Sequence, residues 1–177
     1  MNNKLENPSR RRLFRGKVTP PTPSLRLPWI KNEDHFLSNC TQCGDCIEAC
    51  ETNIIIKDDA GFPAIDFSNN ECTFCDKCHA SCQQPLFVDK HDIKTNNPLP
   101  WPAQLEINNQ CLAENNIFCQ SCQDVCETSA IVFDFKKSSI PTPTINLADC
   151  TQCGACISTC PQDAISLNLT KLEITHV

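Results

Sequence analysis

Cys40-Thr41-Gln42-Cys43-Gly44-Asp45-Cys46-Ile47-Glu48-Ala49-Cys50 decides the reading of this chain, and it has a near copy in Cys150-Thr151-Gln152-Cys153-Gly154-Ala155-Cys156, closed by Cys160. Both place cysteine at the spacing Cys-x2-Cys-x2-Cys-x3-Cys, and Cys72, Cys75, Cys78 and Cys82 repeat it once more. The remaining four, Cys111, Cys119, Cys122 and Cys126, form a variant with a longer first gap. Every one of the sixteen cysteines therefore belongs to a group of four. The regular spacing is the one that holds a 4Fe-4S cluster by thiolate ligation.

The physical reason lies in the size of the cubane. Three cysteines with two residues between each let one tight loop reach three corners of a compact cluster and aim backbone N–H groups at its sulfurs. The fourth cysteine opens a short helical turn, and in two-cluster ferredoxins it ligates the neighbouring cluster. Gly44 and Gly154, each just after a second cysteine, suit such a loop because glycine permits positive φ; the second motif has Asp76 there instead. The three regular motifs each imply a 4Fe-4S cluster, and the Cys111 motif implies a fourth, with an empty, degenerate motif as its alternative.

Two other uses of cysteine are weighed against this one. A disulfide framework belongs to oxidising compartments and to chains shorter than this one of 177 residues. Zinc usually takes its ligands as two separated pairs, often with histidine. His35, His79, His91 and His176 stand at no fixed offset from the cysteines.

Thirteen prolines, four glycines, no tyrosine and a charged fraction of 20% describe a loop-rich chain with little material for a conventional core. Metal binding then has to supply folding free energy, so the apo chain is expected to be largely unfolded. The apolar runs, such as Ile54 to Ile56 and Ala130 to Phe133, are far too short to span a bilayer, and a soluble protein is expected. The glycines at 16, 44, 61 and 154 make neither G-x-G-x-x-G nor a P-loop, which excludes nucleotide sites of those types. No catalytic apparatus is recognisable. Asp45, Asp76 and Asp124 lie inside the cysteine loops and read as solvated carboxylates.

Between the motifs the pattern is one of hairpins. Ile54 to Lys57 and Ala64 to Phe67 flank the turn residues Asp58, Asp59, Ala60 and Gly61; Ala130 to Phe135 and Thr144 to Leu147 flank 136–143 in the same way. The order of strand, cysteine loop, short helix and strand is that of two-cluster ferredoxins, present here as a duplication. The expected fold is therefore α+β: tandem two-cluster ferredoxin-like, or polyferredoxin, lobes of short helices and β-hairpins, with an extended basic N-terminal arm. Lys90 to Asn109, with Pro98, Pro100 and Pro102 around Trp101, reads as a linker or crossover. The expected division is an arm over 1–31, a lobe with motifs one and two over 32–92, and a lobe with motifs three and four over 93–177. Nested pairing, one with four and two with three, stays open.

Charge separates arm from body. Residues 1–31 hold eight basic side chains and one acidic, a balance of +7; residues 32–177 hold seven basic and twenty acidic, a balance of −13. So acidic a body argues against nucleic acid as a partner. The arm is either a solvated tail or a site for an acidic partner surface. Within it, Ser9-Arg10-Arg11-Arg12-Leu13-Phe14-Arg15 has the form of a twin-arginine export motif, but the apolar segment and cleavage site of a signal do not follow. A cytoplasmic location is expected, in keeping with reduced cysteines.

The twin-arginine-like arm, the Pro28-Trp29 pair, His35-Phe36-Leu37 ahead of the first motif and Cys111-Leu112-Ala113 opening the extended third motif carry a resemblance over essentially the whole chain. Together they are similar to the NapF-type ferredoxin-like accessory proteins of the periplasmic nitrate reductase system. Asn69-Asn70-Glu71-Cys72-Thr73-Phe74-Cys75 is compatible with that family but shared more widely. The resemblance implies a non-enzymatic protein that contacts the catalytic subunit of periplasmic nitrate reductase before export, through an arm containing Arg10, Arg11, Arg12 and Arg15, and assists its maturation by electron transfer or iron-sulfur assembly. The competing reading is a ferredoxin-like electron carrier or electron-transfer subunit; a cluster-based sensor lacks an output domain. One departure from ferredoxins generally is that only Cys160 is followed by proline, with Glu51, Gln83 and Glu127 in the other three places.

Overall fold

The computed structural model describes residues 24–170 other than 97 and 137. Arg10, Arg11, Arg12 and Arg15, the arginines expected to bind a partner, lie outside the described residues. Along the chain run α1 (Glu33–Asn39), α2 (Asp45–Glu48), β1 (Ile55–Lys57), β2 (Pro63–Ile65), α3 (Lys77–Ser81), α4 (Lys90–Asn96), β3 (Ala103–Ile107), α5 (Ser121–Asp124), β4 (Ile131–Phe133), β5 (Pro143–Ile145), α6 (Ala155–Ser158) and β6 (Ile165–Leu169). No helix among the described residues is long and apolar enough to cross a membrane.

The strands form three antiparallel ribbons. β1 pairs with β2, Ile55 opposite Ile65, and β4 pairs with β5, Ile131 opposite Ile145. These are the two hairpins legible in the sequence. The third ribbon joins β3 to β6, with Leu105 opposite Leu167. It corrects the reading of Lys90 to Asn109 as a linker, since that stretch holds a helix and a strand. Ala103, Leu105 and Ile107 alternate inward with Gln104 and Glu106 outward, so the segment can bury one face against β6. The N-terminal half has a reduced counterpart in the single antiparallel bridge between Ile30 and Phe87. Pro28 and Pro85 flank it and have no N–H with which to lengthen the ladder.

Two apolar cores result. Leu27, Phe36, Ile54, Ile55, Phe67, Leu86, Phe87 and Trp101 form one. Leu105, Ala113, Ile131, Phe133 and Ile165 form the other. Each core also buries one or more of the motifs' third cysteines: Cys46 in the first, Cys122 and Cys156 in the second. Trp101 closes the first core from the C-terminal side, donating from its indole N–H to the Arg26 carbonyl at 2.6 Å. Trp29 packs its ring 5.7 Å from that of Phe74 and donates to Pro98 O, so both tryptophans are packing residues.

The last part of the stretch assigned to the basic arm is not free. Leu27 is 1% exposed, and Arg26, counted with the arm's positive charge, is buried. Its Nη1 donates to Asp58 Oδ2 at 2.8 Å and to Pro63 O at 3.2 Å, and its Nε donates to Glu33 Oε1 at 2.9 Å. The guanidinium also lies over the rings of Phe36 and Phe62, at 5.5 and 5.8 Å. Burial pushes the Asp58 carboxyl up, but the Arg26 hydrogen bond and the N–H groups of Phe62 and Ala60 outweigh it and leave the group lowered. Replacing Arg26 with alanine should cost about 2–3 kcal/mol, because Asp58 is then left partly buried without its partner. The pair's contribution is present above the unfolded carboxylate value of about 4 and is lost as pH falls through the lowered folded value. The gap between the thermal melts of wild type and Arg26→Ala should therefore narrow at acid pH, leaving the part due to Pro63 O and the two rings.

Candidate metal centres

Each short helix that carries a third cysteine begins immediately or almost immediately after a second. α2 carries Cys46, α3 Cys78, α5 Cys122 and α6 Cys156. In the three regular motifs the turn into the helix uses a left-handed residue: Gly44 at φ +95°, Asp76 at +60° and Gly154 at +89°. The residue before the second cysteine is left-handed as well, in Gln42, Phe74 and Gln152. Two left-handed residues astride one cysteine fold the chain back around it. The irregular motif lacks both: Gln120 has φ −141°, and the seven residues between Cys111 and Cys119 close through turns at Asn115, Asn116 and Ile117 instead. Its longer gap thus replaces the left-handed pair as the means of bringing three cysteines together.

The sixteen thiols are sorted by four cavities. One is lined by Cys40, Cys43, Cys46 and Cys82. The second is lined by Cys72, Cys75, Cys78 and Cys50. The third has Cys111, Cys119, Cys122 and Cys160, and the fourth Cys150, Cys153, Cys156 and Cys126, with Cys72 of the second cavity also on its wall. Each cavity thus takes the first three cysteines of one motif and the fourth of its partner motif. The arrangement pairs motif one with two and three with four, α2 packing on α3 and α5 on α6. Nested pairing, left open by the sequence, is not what the chain adopts.

The donor set fits a 4Fe-4S cluster in each cavity. All sixteen cysteines are free thiols. Burial first, and then the neighbouring thiols Cys78, Cys40, Cys43 and Cys82, push Cys46 up to about 12. Burial and nearby thiols likewise push Cys78 and Cys156 up to about 12, and Cys122 to about 11. Four thiols gathered in apolar surroundings cannot ionise together unless cations take up their charge. Among the described residues no three His, Cys, Asp or Glu side chains converge closely enough to share one ion. A cubane takes each of its four thiolates at a separate iron.

Donors to sulfur complete the sites. Ala130 N–H donates to Cys126 Sγ at 3.2 Å and Ala164 N–H to Cys160 Sγ at 3.3 Å, the same position in both fourth-cysteine turns. Burial raises Cys126, but the Thr128 hydroxyl and the N–H groups of Ala130 and Ile131 outweigh it and leave the thiol lowered. Where ferredoxins usually carry proline after the fourth cysteine, Glu51 instead accepts hydrogen bonds from Thr73 and Lys77 of the second motif. It ties the turn that supplies Cys50 to the loop whose cavity Cys50 completes. Asp45 and Asp124 are exposed, and Asp76 faces Lys90 at 3.7 Å, so the loop carboxylates are solvated or paired at the surface.

Comparison with known proteins agrees with this geometry. Residues 39–87 and residues 117–164 each match a family described as a 4Fe-4S dicluster domain. The fold and the cysteine sets thus define a ferredoxin-type protein built of two tandem 4Fe-4S dicluster domains. The ferredoxin-type protein NapF of Escherichia coli K12 is 40% identical over 158 residues, covering 89% of this chain and 93% of the relative. NapF of Haemophilus influenzae is 39% identical, covering 94% and 97%. The methylamine utilization ferredoxin-type protein MauM of Methylobacillus flagellatus is 25% identical, covering 92% and 74%. No solved structure matches the chain. The chain belongs to the NapF family of ferredoxin-type proteins.

Proposed function

We propose that this protein is a cytoplasmic iron-sulfur accessory protein that binds the catalytic subunit of periplasmic nitrate reductase before export and assists its maturation, by electron transfer or iron-sulfur assembly. The observation that carries the reading is the sorting of sixteen cysteines into four complete ligand sets, in a chain of the NapF family. Cys40, Cys43, Cys46 and Cys82 hold one cluster and Cys72, Cys75, Cys78 and Cys50 the second. Cys111, Cys119, Cys122 and Cys160 hold the third, and Cys150, Cys153, Cys156 and Cys126 the fourth. A bound 4Fe-4S cluster supplies reversible storage of one electron. The chain's part is to bury Cys46, Cys122 and Cys156 and to direct N–H groups at Cys126 and Cys160. The role assigned is accessory rather than catalytic.

The basic segment with Arg10, Arg11, Arg12 and Arg15 is assigned to the partner. The truncation that tests it must stop at residue 23, because Arg26 and Leu27 belong to the first core. Anaerobic co-purification with the unexported catalytic subunit should recover a complex with the full chain and lose it with the chain from residue 24 onward. Recovery by both chains would move the contact to the body, and no complex with either would leave an electron carrier as the reading.

A further inference from the structure

The two halves touch through their cysteine loops. Cys72 N–H donates to the Cys153 carbonyl at 2.8 Å, and Cys72 lines the fourth cavity as well as the second. That fourth cavity is about 330 Å³, against about 20–30 Å³ for the other three, and it reaches Glu71, Thr73 and Phe74 of the second loop.

The contact is built rather than incidental. A Cβ on Gly154 would lie 2.3 Å from the ring of Phe67 in the other half, so only glycine lets the loop seat there. Phe67 stands edge-on to Trp101, with ring centroids 5.7 Å apart. Gln152 is 5% exposed, accepts from Trp101 N–H and donates to Ala103 O. The near-identical first loop does none of this. Gln42 is exposed, and a Cβ on Gly44 would meet nothing within 4 Å. Two copies of one motif have thus diverged, one seated between the halves and the other not.

We propose that the contact between the second and fourth cysteine loops is where electrons cross between the two halves, and that Gly154, Phe67 and Gln152 are the positioning residues that hold it. The cysteine sets then stand in the order one, two, four, three. The proposal rests on the reading that these sets hold clusters. In the crossing, one electron is given up on the Cys72 side and one is taken up on the Cys153 side; no bond forms or breaks and no proton moves. The first electron comes from an external one-electron donor of low potential. Tunnelling falls steeply with separation, so seating the two ligand loops against each other favours this crossing over any between loops in different halves that do not touch.

The test uses the full chain, loaded anaerobically and reduced with dithionite, and compares Gly154→Ala with Gly44→Ala. Both glycines are left-handed, so the backbone strain is alike, but only the first substitution meets Phe67. Iron and sulfide counts are taken first: a wild type without them would sink the cluster reading itself. With full loading, paramagnetic resonance should show loss of part of the cluster-to-cluster spin interaction in Gly154→Ala and a wild-type spectrum in Gly44→Ala. An unchanged interaction in fully loaded Gly154→Ala would overturn the proposal. If Gly154→Ala does not load, Phe67→Trp overfills the same seat from a residue away from any cysteine loop. The same loss is then expected, and an unchanged spectrum would again overturn it.

Discussion

Replacing Cys82 with alanine should strip iron from the cavity of the first motif, not from the motif in which Cys82 stands. Cys82 lines the cavity with Cys40, Cys43 and Cys46, while Cys72, Cys75 and Cys78 are completed by Cys50. The readout is non-additivity. Cys43→Ala and Cys82→Ala act on one cavity, so the double variant should lose little more iron than either single, up to about four irons per chain. Cys75→Ala combined with Cys82→Ala acts on two cavities and should lose about twice as much. Metal analysis of the folded fraction decides it, and the opposite pattern of additivity would mean that each motif fills its own cavity. The same logic pairs Cys160 with Cys119 in the C-terminal half.

Iron removal should unfold most of the chain. The ribbons have only three to five residues per strand, and the helices that carry the third cysteines have four or five. Elements so short are not stable without tertiary support. That support comes from two small cores in which cysteines are themselves packed members. Chelation of the reduced protein should therefore abolish the far-ultraviolet dichroism of the fold, and anaerobic reconstitution with iron and sulfide should restore it. The thiols pushed up to about 11 or 12 give the pH dependence its sign. They must release protons on coordination, so reconstitution weakens as pH falls. An apo chain that kept a cooperative melt would contradict this view of its stability.

Much of the fold is local and was legible for that reason. The cysteine spacing specifies loop and helix within eleven residues, and both hairpins join stretches separated by a short turn. The ribbon of β3 and β6 is non-local, and the alternation of Ala103, Leu105 and Ile107 is visible but is masked by the prolines just before it. Charge counting placed Arg26 in a basic arm because a tally cannot distinguish a solvated guanidinium from one held between Asp58, Glu33 and two aromatic rings. Gln152 and Gln42 are the same residue in the same motif, but Gln152 is buried in hydrogen bonds to Trp101 and Ala103 while Gln42 is exposed, a difference set by non-local packing. The exchange of fourth cysteines between paired motifs was readable as a rule, but which motifs pair depends on helix packing between α2 and α3 and between α5 and α6.

All four cysteine sets, including the irregular Cys111 motif, should hold clusters. Counting iron and acid-labile sulfide per chain after anaerobic purification tests it most directly. The expected result is about sixteen of each. About twelve of each would leave one set empty, and zinc without sulfide would contradict the cluster assignment altogether.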